Sequence, residues 1–229
     1  MLKKVEIYIT PMMNPDGYEF SRRSSRTRLW RKNRRLNSDG SYGVDLNRNW
    51  DEHWGIYGTT KTKTRSEVYC GTAPFSEPET KAISDFVLSI PNRKAGIDFH
   101  VRLDYLLILQ SFGQTVLRNW GWTSTPSVNE PILKELGDGV KDAIYKQSGV
   151  SYTSEIGAGL YLASGCTDDW MTAKAKMVGY TIELRDTGDN EFVLPPDQII
   201  PTGEEIWQAM KYFIDFIINN EIPWNKPPL

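Results

Sequence analysis

With 229 residues, 39% of them hydrophobic and 24% charged, the chain has the size and composition of one α/β domain able to bury a core. A formal net charge of −2 argues against a dedicated nucleic-acid binder, and no apolar run reaches the roughly 18 residues of a membrane span. Cys70 and Cys166 are too few for a disulfide scaffold and are not spaced as a metal motif, so they allow one bridge or none.

Met1 to Lys4 leads straight into a strand-like stretch, Val5 to Thr10, which Pro11 stops. No signal peptide precedes it, and a chain that starts inside a strand reads as a fragment. Asn14-Pro15-Asp16-Gly17 is a strong turn signal. Arg22, Arg23, Arg26, Arg28, Arg31, Lys32, Arg34 and Arg35 follow in a loop-rich segment. No nucleic-acid fold signature accompanies them, so a solvated face or an anion site for a small substrate is the better reading. Gly43 to Trp50 packs polar residues densely between apolar ones, as functional loops do.

Ser76 and Glu79 read as a capping box, with Pro78 in the first turn and Ile83, Phe86, Val87 and Ile90 as one stripe, which predicts a helix over 77–90. Strands are predicted at 95–100, ending in His100, and at 105–109. Ser127 and Glu130 are expected to cap a helix over 130–146, and Thr202 and Glu205 one over 202–218. Between them lie a Gly/Ala/Ser-rich loop around Tyr161 and a short helix starting near Asp169. Strands alternating with helices indicate a layered α/β domain.

Tyr180 to Leu184 reads as a strand ending in the turn Asp186-Thr187-Gly188. A carboxylate at its centre is unusual, because buried Glu is rare unless paired or working. Alternation puts Glu183 and Arg185 on one face and Ile182 and Leu184 on the other. Two readings stand: a structural Glu183–Arg185 pair, or a general base at the rim of a sheet.

The stretches Asn14–Tyr18, Arg28–Lys32, Asp45–Trp50, Ser164-Gly165, Asp169-Trp170, Glu183–Gly188 and Ile199–Thr202, taken with His100 and Tyr161, resemble the zinc metallocarboxypeptidases of the pancreatic carboxypeptidase A/B family. Their order and spacing are close to the family's, and the likeness covers nearly the whole chain, residues 1–229 forming a single catalytic domain that lacks the family's N-terminal third. The resemblance implies a three-layer α/β/α fold with a mixed sheet. It implies one zinc ion, with His100 as its last protein ligand and Glu183 as the base that activates bound water. It implies that Arg31 stabilises the oxyanion, that Asn47 and Arg48 clamp the substrate's terminal carboxylate, and that Tyr161 closes over the bound C-terminus. Asp168 matches the base of the pocket for the last side chain, where Asp accompanies Lys and Arg.

The expected protein is thus a secreted monomer acting on peptide or protein C-termini, without nucleic-acid or membrane partners. The sequence also departs from the family. Its His-x-x-Glu ligands are not in this chain, and His53 is a poor substitute. Asp45, which would orient the missing histidine, is expected to lack a partner. Val101 to Asp104 intervenes after His100, and Ser41 and Arg65 stand where the family's bridge is expected. The competing reading is a catalytically dead, carboxypeptidase-like binding protein.

Overall fold

A computed structural model describes residues 3–100, 113–190, 193–224 and 227–228. Helix α1 (Pro15–Ser21) is followed by α2 (Pro78–Ser89), β1 (Ala95–His100), β2 (Thr115–Arg118), α3 (Glu130–Ser148) and β3 (Thr153–Ile156). The chain then runs through α4 (Gly157–Leu160), α5 (Thr167–Ala173), β4 (Val178–Glu183) and α6 (Ile199–Asn219). The sheet has the order β1-β4-β2-β3. β1 and β4 are parallel, β2 and β3 are parallel, and β2 is antiparallel to β4, so the sheet is mixed as expected.

Strand alternation decides what each face holds. On one face Tyr180 and Ile182 of β4 and Val116 of β2 join Leu133, Leu136, Val140 and Ile144 of α3 and Phe213 and Phe216 of α6 in the main core. Leu184 packs on the same side, as its alternation with Glu183 predicts. On the other face α5 lies directly on β4 and β1. A Cβ at Gly179 would come within 2.3 Å of the Asp168 carbonyl oxygen, and one at Gly96 within 2.3 Å of Met171 Sδ. Only glycine lets the helix approach that closely. A second core, of Trp50, Trp170, Met171 and Ala175 with Ile83 and Val87 of α2, completes this layer.

Several expectations change. Val5 to Thr10 forms no strand, with Ile9 74% exposed; among the described residues no backbone ladder pairs with it. The 105–109 strand lies outside the described residues. Asn14 to Gly17 is the first turn of α1: the Asn14 side chain accepts from the Gly17 amide and Pro15 sits at the first helical position. None of the three capping boxes forms. Ser76 donates to Glu77, Glu130 pairs with Arg118, and Thr202 sits inside α6, donating to Gln198 O at 2.7 Å. Each polar side chain found a stronger or nearer partner than a helix amide. Cys70 and Cys166 are both free and buried. Ser41 and Arg65 instead share Asp39, with Ser41 Oγ donating to Oδ1 at 2.7 Å and Arg65 Nε lying 3.8 Å from Oδ2.

Candidate active site

Parallel pairing of β1 with β4 sets Asp98 beside Thr181 and His100 beside Glu183 at the carboxyl ends of both strands. That is where open α/β sheets hold ligands. Alternation turns Asp98, His100, Thr181 and Glu183 to the α5 side, away from the main core. His100 Nε2 lies 3.0 Å from Asp98 Oδ2, and His100 Nδ1 lies 3.7 Å from Glu183 Oε1. Burial alone would lower the imidazole pKa; the two flanking carboxylates, Asp98 foremost, outweigh it and raise it well above its ordinary value. Glu183 is buried, and its Oε2 has no hydrogen-bond partner.

The tight turn Leu46–Arg48 brings the next group of residues. Asp45 caps it, accepting from the Asn47 amide at 3.1 Å. Asn47 Nδ2 lies 3.3 Å from His100 Nε2, while Asn47 Oδ1 accepts from the Thr167 amide at 2.9 Å. One asparagine therefore ties the turn to β1 and to the start of α5. The Arg48 side chain is 1% exposed. Its guanidinium donates to Gly58 O, to Asn47 O and, at 3.3 Å, to the Tyr161 hydroxyl, and it lies 3.5 Å from Cys166 Sγ. Among the described residues no carboxylate forms an ion pair with it. A buried guanidinium that no described carboxylate pairs directly is suited to an incoming anion.

Arg31 Nε and Nη2 both donate to Asp45 Oδ2 at 3.0 Å. Asp45 therefore has a partner, contrary to expectation, because a buried carboxylate takes the nearest cation. Asp168 is buried in the first turn of α5; burial first, then the like charge of Asp98, raises its pKa. α5 begins at Thr167, two residues before the expected start. Asp169 does not cap it, since its carboxylate accepts from Asn119 Nδ2 and the Gly121 amide. Arg185 pairs with Glu205 of α6, not with Glu183, which removes the structural-pair reading of Glu183. Contacts thus link Arg31 to Asp45, Asp45 to the Asn47 turn, Asn47 to His100, His100 to Glu183, and Arg48 to Tyr161; Asp168 is joined to the group by the charges of Asp98 and His100. Sequence reasoning missed Asp98, Thr167 and Thr181. The two-residue spacing of Asp98 from His100 was the available signal for the first.

The donor set does not fit a catalytic zinc ion. Such a site takes three protein ligands and a water. Among the described residues no three His, Cys, Asp or Glu side chains are placed to hold a metal ion. Both nitrogens of His100 face carboxylates, and His53 is stacked on Trp122 with its Nδ1 2.8 Å from Glu52 Oε1.

Residues 1–209 match the zinc carboxypeptidase family, Peptidase_M14. Carboxypeptidase A5 of Homo sapiens is 37% identical over 223 residues, covering 96% of this chain and 48% of that protein. Carboxypeptidase B of Astacus astacus is 37% identical over 224 residues, covering 95% of this chain and 69% of that protein. Bovine thrombin-activatable fibrinolysis inhibitor, solved in complex with tick carboxypeptidase inhibitor, aligns with a TM-score of 0.82 at 34% identity, over 93% of this chain and 70% of that one. The chain spans about half the length of the first curated relatives it matches.

Proposed function

This chain belongs to the zinc carboxypeptidase family, and from that premise we propose that its site grips the C-terminus of a peptide, with Lys or Arg as the preferred last residue, for hydrolysis of the final peptide bond. The observation that carries the reading is the buried guanidinium of Arg48, which forms no ion pair among the described residues. A planar fork of donors beside Asn47 and the Tyr161 hydroxyl suits a carboxylate, and the Arg48–Tyr161 contact is the closed arrangement such a clamp would take. Asp168 supplies negative charge in a buried position; a cationic side chain relieves the cost of ionising it there, and an apolar one does not. Glu183 Oε2, buried and unbonded, is the acceptor a general base needs. Arg31, held by Asp45, would serve the oxyanion only by sharing its guanidinium between the two.

Zinc chemistry is a property of the family, and no hydrolytic step is assigned to residues 1–229 alone. His100 would be one ligand of a site that the described residues leave short of donors. The chain by itself would then bind zinc weakly and turn over little. A second reading, a C-terminus-binding protein without catalysis, is favoured by the engagement of His100 with Asp98 and Glu183. A calorimetric zinc titration, paired with an assay of arginine release from a peptide ending in Arg, tests this. We expect zinc affinity weaker than about micromolar and little release. Sub-micromolar stoichiometric zinc, with turnover lost in Glu183→Gln, would overturn both the weak-zinc account and the second reading.

A further inference from the structure

Residues 22–35 hold eight Lys and Arg and no Asp or Glu, in a chain whose net charge is −2. Four of the eight are spoken for: Arg22 by Glu19, Arg31 by Asp45, Lys32 by the Thr64 carbonyl and Arg35 by Glu77. Arg23, Arg26, Arg28 and Arg34 form no ion pair among the described residues. Arg23, Arg26 and Arg28 are exposed on a loop that its own hydrogen bonds fix. The Ser24 amide donates to Thr27 Oγ1, the Thr27 amide to Ser24 O, and the Trp30 amide to Thr27 O. Arg34 lies 3.5 Å over the Phe20 ring and 4.4 Å over both Trp30 and Tyr42, while Arg23 lies 5.4 Å from the same Phe20 ring. Two guanidinium groups thus share one aromatic ring, and neither is ion-paired among the described residues. Burial first, and then the like charge of Arg23, holds the Arg34 pKa below its ordinary value, with Tyr42 opposing.

We propose that this surface, built from Arg23, Arg26, Arg28 and Arg34, binds a linear sulfated polysaccharide. All four unpaired cations are arginines, whose forks take tetrahedral oxyanions two oxygens at a time. The fixed loop presents them without a further cost for ordering the backbone. Nucleic acid fits less well, because single strands bind by stacking bases on free aromatic faces, and Arg34 already lies over those of Phe20, Trp30 and Tyr42. An anionic bilayer fits less well, because the exposed aliphatic side chains along this stretch are Leu29 and Leu36, separate in sequence and too few for a membrane-seeking face. Arg31, from the same segment, turns inward to Asp45 and is not part of this surface.

The test is fluorescence anisotropy of a labelled heparin-derived dodecasaccharide with the 229-residue protein at low and at physiological salt. Binding at low salt that weakens as salt rises is expected, with about a tenfold or greater loss for Arg23→Glu/Arg26→Glu. A milder Arg23→Gln/Arg26→Gln pair, checked for folding by circular dichroism, should weaken binding in the same direction. Lys141→Glu/Lys146→Glu, an equal charge change on α3, should leave it within about twofold. Equal loss in the α3 control would overturn the proposal. So would equal or tighter binding of the unsulfated saccharide, of single-stranded DNA or of anionic vesicles.

Discussion

Arg185 and Glu205 offer the sharpest test of the packing behind the site. Arg185 Nε donates to Glu205 Oε2 at 2.8 Å, its Nη2 donates to Oε1, and its Nη1 donates to Gln198 Oε1 at 2.7 Å. Ser148 Oγ of α3 also donates to Glu205 Oε1. Glu205 is 0% exposed. One carboxylate therefore joins the exit of β4 to both outer helices. Arg185→Met would keep much of the side-chain volume but leave Glu205 buried with Ser148 as its remaining donor among the described residues. Breaking one side of a buried pair costs about 3–5 kcal/mol. In a chain of this length that is a Tm drop of about 6–20 °C. Adding Glu205→Leu should restore most of the loss, because removing both charges removes the orphan. Urea denaturation of wild type, single and double variants measures this. A single-variant cost below about 1 kcal/mol, the range of surface pairs, would refute the account of this junction.

Gly179→Ala should cost about 1–3 kcal/mol, because its Cβ would meet the Asp168 carbonyl at 2.3 Å and force α5 off β4; thermal unfolding reads this. Asp168→Ile should shift binding from peptides ending in Arg toward peptides ending in Leu or Phe, as a competition assay would show; an unchanged preference would remove Asp168 from the pocket. The hydroxyls of Ser41 and Thr64, and the Ser41 amide, hold the Asp39 pKa at about 2, against a usual 3.8. Its contribution to stability is therefore present above about pH 4 and lost as pH falls toward 2. Asp39→Asn should flatten that part of the urea-midpoint profile.

Legibility in the sequence followed length and period. The α3 and α6 helices announce themselves through apolar stripes that bury against the sheet, whatever becomes of their caps; of the α2 stripe, Ile83 and Val87 pack on the second core while Phe86 stays 44% exposed. Caps were misread because Glu130 and Glu205 satisfy arginines distant in sequence, Arg118 and Arg185, which no local pattern shows. β2 and β3 have four residues each, too short for a period to register, and Thr-Ser-Glu-Ile carries little strand signal. Within the site, His100, Asn47 and Glu183 were legible as residues. Their mutual distances depend on the β1–β4 register, a tertiary fact. Asp45 shows the limit most clearly: the family resemblance left it partnerless, and the fold gave it Arg31.

The most direct test of the central claim is the affinity of peptides ending in free Arg and in Arg-amide, measured by calorimetry on wild type and Arg48→Met. A clamp built on a buried guanidinium that forms no ion pair among the described residues requires the terminal carboxylate. The free acid should therefore bind at least about tenfold more tightly than the amide, and Arg48→Met should erase the difference. Equal affinity for acid and amide in the wild type would contradict it.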